Sequence, residues 1–462
     1  MNPRVFREYD IRGNAESDFP DDFVADLGRS IGAYFADAGV RRITLGRDCR
    51  LSSPRIHAAI KRELLGAGLD VIDVGIVHSP GLYFSVFHLK VEGGVMITAS
   101  HNPGEDNGFK IVSGKTTIHG AEIQKLRERI ERRDFRPAAT PGRATDYDIL
   151  ADYIDYIVDN IQLGPRRFKV VVDGGNGTGG LAVLPILRKL GFEVEAIYCE
   201  PDGRFPNHHP DPTVPANLAD LIARVKAGGA EVGIALDGDA DRIGAVDGQG
   251  RIIWGDQLVM LFATEILKRQ PGATFVSEVK CSQALFDHIG QLGGKAIMWK
   301  VGHSLIKAKM KEEKAVLAGE MSGHMFFADR WFGFDDAVYA GLRLCEQLTH
   351  STQTLAELYD TLPVLHNTPE IRMPCPDDLK FEVVRRAIAW FRERQPVVDI
   401  DGVRMIFQEQ GQTVGWGLVR ASNTGPVLVM RFEADSPKRL AEIQALVEAR
   451  IQQIIADVTA GR

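Results

Sequence analysis

Three aspartates alternate along one short stretch of the chain, at Asp237, Asp239 and Asp241. The apolar run 232–236 before them is typical of a buried strand, so the acids begin the loop beyond its carboxyl end. Carboxylates at alternate positions can converge from one side of an extended loop, and hard divalent cations prefer oxygen ligands. Without a cation, three neighbouring acids would repel one another. The spacing therefore predicts a divalent-metal site rather than a solvated acidic turn.

Two other chemistries begin with a similar acidic pattern. A calcium-binding EF-hand loop needs glycine at its sixth position and glutamate at its twelfth, where this chain has Arg242 and Gly248, so that motif is excluded. An aspartyl phosphatase of the haloacid dehalogenase type would use Asp237 as its nucleophile. Its fifth position is normally threonine or valine, and here it is Asp241. An Asp237-dependent phosphatase remains the alternative enzyme.

A serine follows a second apolar run, 94–98, and stands beside His101, Asn102 and Pro103. The Asn-Pro step favours a non-helical turn, which can lift Ser100 into a cleft. The sequence has no Gly-x-Ser-x-Gly nucleophile elbow, and a histidine adjacent in sequence is a weak sign of nucleophilic catalysis. From these residues alone, an ordinary turn serine is the simpler interpretation.

The turn 175–180, with the sequence Gly-Asn-Gly-Thr-Gly-Gly, follows the apolar run 168–172. It matches the Gly-x-Gly-x-x-Gly fingerprint of dinucleotide sites, and Glu195 or Glu200 could supply the acid that such a site requires. The motif is weak alone, and the equivalent turns elsewhere in the chain lack the glycines. We favour a tightly packed turn and keep a nucleotide-binding module as the non-enzyme alternative.

Two later loops carry polar side chains suited to a phosphorylated sugar. The loop 420–424 combines a guanidinium, two hydroxyls and an amide, which suit a phosphate or a hydrogen-bonded hairpin loop equally well. The loop 320–324 offers a carboxylate, a hydroxyl and an imidazole, for sugar hydroxyls or for capping a turn. The side chains concerned are Arg420, Ser422, Asn423, Thr424, Glu320, Ser322 and His324, and further candidates are Tyr9, Arg12, Gly302 and His303.

These motifs belong to a pattern that occurs three times along the chain. In each copy an apolar strand ends in a polar or glycine-rich turn, and a helix, a glycine, a second strand, a second helix and a third strand follow. The glycines that end the first helices are Gly68, Gly191 and Gly294. The third strands, which run into the polar motifs, are 94–98, 232–236 and 315–317. The alternation predicts an α/β fold of mixed, mostly parallel sheets, with ligands beyond the carboxyl ends of the strands.

Beyond residue 362 the pattern changes to a helix followed by three strands and a last helix. The helix is expected at 377–394, the strands at 403–408, 415–419 and 427–432, and the last helix from Ser436 and Pro437. This tail predicts a separate α+β domain. We therefore expect three related domains and a smaller fourth one, with bounds at 1–147, 148–250, 251–363 and 364–462.

Composition narrows the class of ligand. The 62 acidic and 55 basic side chains give a net charge of −7, which argues against nucleic acid or an anionic membrane as partner. Five widely separated cysteines fit reduced thiols in the cytoplasm, the first ten residues lack the apolar run of a signal peptide, and no stretch approaches the ~18 apolar residues of a membrane span. We expect a cytoplasmic monomer that acts on small molecules.

Together the motifs resemble the α-D-phosphohexomutase family, over essentially the whole chain and in the family's order. The resemblance rests on the segments 98–103 (Thr-Ala-Ser-His-Asn-Pro), 237–242 (Asp-Gly-Asp-Ala-Asp-Arg), 319–324 (Gly-Glu-Met-Ser-Gly-His) and 420–424 (Arg-Ala-Ser-Asn-Thr). The opening Glu-Tyr-Asp-Ile-Arg-Gly and the Glu-Met-Ser-Gly-His loop are most like the bacterial phosphomannomutase/phosphoglucomutase branch. The resemblance implies four domains, the first three alike, around one central cleft.

The resemblance also implies a reaction. A phosphoryl group would move reversibly between C1 and C6 of mannose and glucose phosphates, through a phosphoserine and glucose or mannose 1,6-bisphosphate. Ser100 would carry the phosphoryl group, and Mg²⁺ would be held by Asp237, Asp239, Asp241 and a phosphate oxygen on Ser100. Such charge needs metal and cations around it. Ala240 replaces a glycine that is common in the family's metal loop, which removes no ligand.

The remaining roles follow from the same resemblance. Glu320 and Ser322 would bind the sugar hydroxyls at C3 and C4, which glucose and mannose share. The base that accepts the hydroxyl proton would be Lys110 or His303, and burial could lower the pKa of a lysine toward such use. The groups near the phosphoryl or the substrate would be Arg12, His101, Arg242, Lys280, Tyr9, Gly302 and His324, and the non-reacting phosphate would lie on Arg420, Ser422, Asn423 and Thr424.

Overall fold

A computed structural model describes residues 1–422 and 425–461. The described chain forms four β-sheets, one after another along the sequence. No helix in these ranges is long and apolar enough to cross a membrane.

The first sheet has the strand order β1-β5-β4-β2-β3-β7, and β6 pairs with β5. Its strands are β1 (Ile11–Asn14), β2 (Arg42–Arg47), β3 (Asp70–Ile76), β4 (Gly93–Ile97), β5 (Asp106–Ser113), β6 (Thr116–Thr117) and β7 (Ala144–Asp146). The helices are α1 (Asp21–Asp37), α2 (Ser53–Gly66), α3 (Ser79–His88) and α4 (Ala121–Arg132), after a 3₁₀ turn at Pro3–Val5.

The second sheet has the order β12-β11-β10-β8-β9. Its strands are β8 (Lys169–Asp173), β9 (Glu193–Ile197), β10 (Val232–Leu236), β11 (Ile243–Asp247) and β12 (Ile252–Ile253). The helices are α5 (Ile149–Asn160), α6 (Gly180–Lys189) and α7 (Ala219–Gly228), with a 3₁₀ turn at Pro215–Leu218.

The third sheet has the order β14-β13-β15-β16. Its strands are β13 (Thr274–Glu278), β14 (Lys295–Trp299), β15 (Leu317–Gly319) and β16 (Met325–Phe327). The helices are α8 (Gly255–Arg269), α9 (Gln283–Gln291), α10 (His303–Glu313), α11 (Ala337–His350) and α12 (Leu355–Tyr359).

The three sheets share one core topology. In each, the first strand of the repeat (β2, β8 or β13) lies between the second and the third and is parallel to both, and an antiparallel strand pairs with the third. The predicted α/β class, the threefold repeat and the mostly parallel sheets are therefore confirmed. Because the third strand is parallel to its neighbour, each polar motif begins at the carboxyl edge of its sheet.

Two local features of the repeat differ from the prediction. Gly68 and Gly191 follow their helices in the left-handed conformation, but in the third copy this residue is Gly293, with φ 79°, and not Gly294. The third strand of that copy is Leu317–Gly319 rather than 315–317. Lys314 takes the left-handed conformation as α10 ends, and the next two residues connect the helix to the strand. The strand therefore begins two residues later than predicted.

The fourth sheet is antiparallel and has the order β17-β22-β21-β20-β19, with β18 also paired to β22. Its strands are β17 (His366–Asn367), β18 (Ile371–Pro374), β19 (Val397–Val398), β20 (Val403–Glu409), β21 (Gln412–Ala421) and β22 (Val427–Ala434). Its helices are α13 (Lys380–Arg392) and α14 (Pro437–Thr459). Ser436 caps α14, as predicted, by accepting a hydrogen bond from the Arg439 amide.

Three hydrophobic cores matter for the site. The largest runs from Val74 to Leu362 and joins one face of the first sheet to the second and third sheets. A second core, within residues 5–130, fills the other face of the first sheet, and a third, within residues 375–454, belongs to the fourth sheet alone. The first three sheets are thus held together by shared apolar packing, while the fourth has a core of its own and meets the loop after β13 through a small buried cluster of Val279, Trp416 and Leu418.

Candidate active site

The polar motifs of all four sheets meet at one cleft of about 940 Å³. The predicted residues that line it are Tyr9, Arg12, Ser100, His101, Lys110, Asp241, Arg242, Lys280, Gly302, His303, Glu320, Ser322, His324, Arg420 and Ser422. Asp237 and Asp239 lie behind the wall and are fully buried. The predicted contacts Asn423 and Thr424 lie outside the described residues.

Ser100 stands in the loop between β4 and β5, in a left-handed conformation with φ 52°. Its amide donates to the Thr98 hydroxyl at 2.9 Å, and its own hydroxyl donates to Asp237 Oδ2 at 2.7 Å. A His101 ring nitrogen, Nδ1, lies 3.1 Å from the same hydroxyl oxygen. The backbone conformation is uncommon for a residue with a Cβ, and it aims the serine oxygen at the carboxylates beyond β10.

Those carboxylates converge as the alternating spacing predicts. One ligand atom from each of Asp237, Asp239 and Asp241 lies within 4.8 Å of the other two. Asp237 Oδ1 accepts from the Asp241 and Arg242 amides at 3.0 and 3.1 Å. Among the described residues, Asp239 Oδ1 and Asp241 Oδ1 are buried without a hydrogen-bond partner. Buried oxygens of this kind need a cation, so the donor set fits a hard divalent metal.

Lys110 supplies part of that positive charge. Its ammonium donates to Asp239 Oδ2 at 2.6 Å and also to Asp241. Burial opposes charge on the lysine, but Asp239 and Asp241 outweigh it and raise the pKa of Lys110 well above its usual range. The suggestion that burial could leave Lys110 with a lowered pKa is therefore wrong for the arrangement seen here, because burial acts in that direction but the carboxylates in direct contact outweigh it.

The charge on the acids is uneven. Burial, followed by the neighbouring charges of Asp241 and Asp239, raises the pKa of Asp237 well above its usual range. Burial acts in the same direction on Asp241, but Lys110 and His324 outweigh it and lower the pKa of that carboxyl. The serine hydroxyl thus faces a carboxyl group, that of Asp237, on which negative charge is disfavoured.

The loops after β10 and β15 are joined directly. Arg242 and His324 form an isolated β-bridge, and Arg242 Nε lies 3.0 Å from His324 Nε2. His324 Nδ1 lies 3.4 Å from Asp335 Oδ2 and 3.6 Å from Asp241 Oδ1. Lys110 pairs with Asp241, and Lys307 with Asp335 at 2.9 Å, so each acid already has a cation. This second acid–imidazole group is therefore an ion-paired cluster in which, among the described residues, His324 Nδ1 and Asp335 Oδ2 have no hydrogen-bond partner.

His303 begins α10 and faces the same buried acid. Its Nδ1 lies 3.5 Å from Asp335 Oδ2, and its ring stacks on that of His324 at a centroid distance of 5.6 Å. Burial, with Lys307 nearby, lowers the pKa of His303 well below its usual range. The imidazole is therefore neutral and able to accept a proton.

The backbone around residue 301 joins three of the sheets. Val301 accepts a hydrogen bond from the Tyr9 hydroxyl at 2.7 Å, and its amide donates to Asp401 at 3.0 Å. Gly302 has φ 127°, and a Cβ there would meet the Tyr9 ring at 2.5 Å. Its amide donates to Glu320 Oε1 at 2.8 Å, so the predicted sugar-binding acid is anchored by the predicted glycine. Only glycine allows this close approach.

The cations of the fourth sheet and of the loop after β13 are held by acids that the sequence motifs do not contain. Arg420 Nε donates to Asp401 at 3.2 Å. Lys280 Nζ lies 3.4 Å from Glu370 Oε2. Burial opposes the charge of Lys280, but Glu278 and Glu370 raise its pKa. Both cations are buried at the cleft and available to an anionic ligand.

Arg12 is oriented by two partners within the first sheet. It donates to Asp10 Oδ2 at 2.5 Å and to Asn102 Oδ1 at 2.8 Å, which places its guanidinium beside the serine loop. Sequence reasoning missed other residues of the cleft, among them Arg7, Asp211, Trp254, Glu370 and Arg372. Arg7 lies two positions before the predicted Tyr9 and could have been found from that segment, while the others lie in connecting segments without a motif.

The geometry disfavours both alternatives. A Cβ on Gly177 would come within 2.4 Å of the Gly238 carbonyl oxygen, and one on Gly180 within 2.3 Å of the Cys199 carbonyl oxygen, so the glycine turn is tightly packed against backbone, as predicted, and residues 175–180 do not line the cleft. Asp237 is fully buried with both carboxylate oxygens hydrogen-bonded, which does not suit the nucleophile of a phosphatase.

Comparison with family models covers the four sheets in order. Four family models of phosphoglucomutase/phosphomannomutase match the chain. Alpha/beta/alpha domain I matches residues 3–137, domain II matches 151–250, domain III matches 254–365 and the C-terminal domain matches 370–450.

Individual proteins agree with these models. The chain is 44% identical over 453 residues to a phosphomannomutase/phosphoglucomutase of Pseudomonas putida, covering 97% of this chain and 96% of that protein. It is 45% identical over 451 residues to a phosphoglucomutase of Neisseria gonorrhoeae, with 97% and 96% covered. A crystal structure of a phosphoglucomutase/phosphomannomutase family protein from Burkholderia thailandensis superposes with a TM-score of 0.91 at 40% identity, over 98% of both chains.

Proposed function

The chain belongs to the phosphoglucomutase/phosphomannomutase family, and we propose that it interconverts the 1- and 6-phosphates of mannose and glucose through a phosphorylated Ser100 and a hexose 1,6-bisphosphate. One observation carries the proposal for this chain. The Ser100 hydroxyl lies 2.7 Å from Asp237 Oδ2, at a cleft lined by Lys110, Arg242 and other cations.

We assign Mg²⁺ to the three aspartates. Asp237, Asp239 and Asp241 would hold it together with a phosphate oxygen on Ser100, and it would neutralise charge on the phosphoryl group. Arg242 and Arg12 add positive charge from this chain on the cleft side. His101, whose pKa burial and then Arg242 lower well below its usual range, adds a neutral hydrogen-bonding group beside the serine.

We propose that the phosphoryl group moves from the serine to the sugar and that a second one moves back. A hydroxyl oxygen of the sugar phosphate attacks the phosphorus on Ser100, the bond from phosphorus to serine Oγ breaks, and the serine oxygen takes up a proton as the sugar hydroxyl loses one. Lys110 and His303 are the two candidate bases, and His303 fits the role better, because its ring is neutral while Lys110 is already protonated. The bisphosphate then turns over in the cleft and returns its other phosphoryl group to Ser100 by the reverse sequence. Phosphate is neither gained nor lost, so the net change is isomerisation.

The residues that we assign to the sugar do not contact the hydroxyl at C2, the position at which glucose and mannose differ. We propose that Glu320 and Ser322 bind the hydroxyls at C3 and C4, and that His324 and Lys280 lie beside the ligand. The non-reacting phosphate would be bound by Arg420, Ser422, Asn423 and Thr424. The cleft offers buried cations for both phosphates of the intermediate, in spite of the chain's net charge of −7.

Other properties are part of the same proposal. We infer a monomer that works in the cytoplasm, with domain bounds at 1–147, 148–250, 251–363 and 364–462. All five cysteines are unpaired thiols, which fits a reducing compartment.

The test is the mass and activity of the purified protein. We expect one phosphate on Ser100, lost to a sugar phosphate in the presence of Mg²⁺, and neither phosphate nor mutase activity in Ser100→Ala. The matched control is Ser17→Ala, which changes an exposed serine near the same sheet and should behave as wild type. Undiminished activity in Ser100→Ala would overturn the proposal and favour a different phosphoryl carrier.

A second measurement tests the substrate class. The values of kcat/KM for glucose 1-phosphate and mannose 1-phosphate should agree within about tenfold, because neither Glu320 nor Ser322 is assigned to C2. Glucosamine 1-phosphate should be poorer. A strong preference for glucosamine 1-phosphate would contradict the assignment.

A further inference from the structure

We propose that Arg50 is a positioning residue for the phosphoryl carrier, because it fixes the loop that holds Ser100 in its left-handed conformation. The inference rests on the proposed role of Ser100. It concerns a residue that neither lines the cleft nor belongs to any of the site motifs.

One guanidinium binds four carbonyl groups of the same loop. Arg50 Nη2 donates to the Ser100 carbonyl at 2.8 Å and to the Asn102 carbonyl at 2.6 Å. Nη1 donates to the Asp106 carbonyl at 3.0 Å and also to that of Pro103. The acceptors span the whole turn from Ser100 to the start of β5. A planar fork can satisfy such a set of carbonyls at once, and a single ammonium cannot.

Arg50 is itself held from the first sheet. It is fully buried, and its Nε lies 3.1 Å from Asp48 Oδ2. Asp48 Oδ1 accepts from the Ser53 hydroxyl at 2.6 Å, and the Asn107 amide donates to Ser53 at 3.0 Å. The guanidinium therefore has a fixed orientation before any ligand arrives, which is the requirement for a group that positions another.

The second sheet covers the other side of the arginine. The Phe205 ring lies 5.1 Å from the Arg50 guanidinium carbon. A Cβ on Gly203 would meet the Arg50 Cα at 2.6 Å, so the loop that follows β9 is in backbone contact with this position. Exclusion of water from the guanidinium strengthens its hydrogen bonds to the loop carbonyls.

These contacts explain how Ser100 keeps φ 52°. A non-glycine residue in this region persists only where its surroundings fix it, and the Ser100 carbonyl is fixed by Arg50 on one side. Without the fork, the turn can relax and the serine oxygen moves away from the metal aspartates. The effect should fall on the chemical step, since a small displacement of a reacting group costs rate while the sugar-binding loops are untouched.

The experiment compares Arg50→Lys with a buried arginine elsewhere. We expect kcat to fall by about tenfold or more with KM within about twofold of wild type, and the phosphate on Ser100 to be hydrolysed faster in the absence of sugar, by intact-mass measurement. The control is Arg343→Lys, which changes a buried arginine of α11 that is paired with Asp329. Arg343→Lys should be less stable than wild type, but its kcat should not fall selectively while KM stays unchanged.

Two results would overturn the proposal. One is a kcat for folded Arg50→Lys that falls no further than that of the control. The other is a rise in KM that accounts for the whole loss. If Arg50→Lys does not fold, Ser53→Ala tests the same anchor through Asp48 and should show a smaller fall in kcat with KM unchanged, and the absence of that fall counts against the proposal. Failure of the mutase assignment is seen separately, as wild-type protein without phosphate on Ser100.

Discussion

The α-carbon of Gly238 lies against the carbonyl oxygen of Ser100, and a Cβ at position 238 would come within 2.4 Å of that oxygen. Gly177 presses on Gly238 from the other side, with the same 2.4 Å limit at the Gly238 carbonyl oxygen. Three segments from two sheets therefore stack backbone on backbone. The metal loop and the serine loop have no side chain between them at this point, which fixes the separation of the two reacting parts.

Gly238→Ala should push these loops apart. We expect kcat to fall by at least about tenfold and the free energy of unfolding to fall by about 1–3 kcal/mol, because backbone must move to admit the methyl group. Steady-state kinetics and denaturant unfolding measure both. Gly290→Ala, which meets nothing within 4 Å in α9, is the control and should be neutral or stabilising. Wild-type kcat in Gly238→Ala would show that the stacking is not required.

Lys110→Met should make the protein more dependent on metal. The substitution leaves the buried carboxylates of Asp239 and Asp241 without their ammonium, at a cost of about 3–5 kcal/mol when no cation is bound. We expect a lower melting temperature than wild type in EDTA and a larger rise on adding Mg²⁺. Lys309→Met, which removes a lysine paired with Glu312 and Glu313, should respond to Mg²⁺ as wild type does. If Mg²⁺ raised the melting temperature of Lys110→Met and of wild type equally, the proposed place of Mg²⁺ beside Lys110 would be contradicted.

Arg420→Ala tests the phosphate-binding role of the fourth sheet. Loss of one charged contact to phosphate should raise KM and lower kcat/KM by roughly 10- to 150-fold. This corresponds to a loss of about 1.5–3 kcal/mol of transition-state stabilisation. Titration of initial rates against glucose 1-phosphate measures this. Arg385→Ala, which removes an exposed arginine of α13, should leave the rates unchanged. Unaltered kinetics in Arg420→Ala would remove this arginine from the substrate site.

Asp336→Asn should change how stability depends on pH. Asp336 caps α11, and burial raises its pKa from 3.8 to about 7 against the hydrogen bonds from Tyr339 and Tyr153. The folded protein therefore holds this proton more tightly than the unfolded chain. As pH rises from about 4 to about 7, ionisation of the carboxyl lowers the free energy of unfolding. Relative to wild type, the variant should gain on the order of 4 kcal/mol over that range.

Urea unfolding at several pH values checks the Asp336 prediction. Asp148→Asn at the exposed start of α5 is the control, because asparagine caps a helix about as well as aspartate and the variant should differ little from wild type. A constant difference between Asp336→Asn and wild type from pH 4 to pH 7 would contradict the prediction.

The sequence predicted those site residues that belong to a short motif directly after a strand. Ser100, the alternating aspartates and the Glu320 loop each follow an apolar strand, so strand period and motif place them at one sheet edge without knowledge of the rest. The repeat then places the three edges in equivalent positions, and the observed strand orders confirm it.

The sequence could not predict partners that meet across long separations. Asp335 faces His303 and His324, Glu370 faces Lys280, and Arg50 reaches a loop fifty positions away. None of these acids or cations follows a strand in a recognisable motif, because their positions depend on how separate sheets pack. The state of Lys110 was missed for the same reason, since its pKa is decided by carboxylates on another sheet. The domain bounds remain a prediction.

The apolar core that runs from Val74 to Leu362 sets an order on biosynthesis. As the chain leaves the ribosome, one face of the first sheet can close once residues 5–130 are out, but its other face has no complete partner until residue 362 has been made. The core within residues 375–454 needs nothing from the others. Nascent chains that stop between these points would carry an uncovered apolar face, and chaperone demand should therefore peak while the second and third sheets are being synthesised.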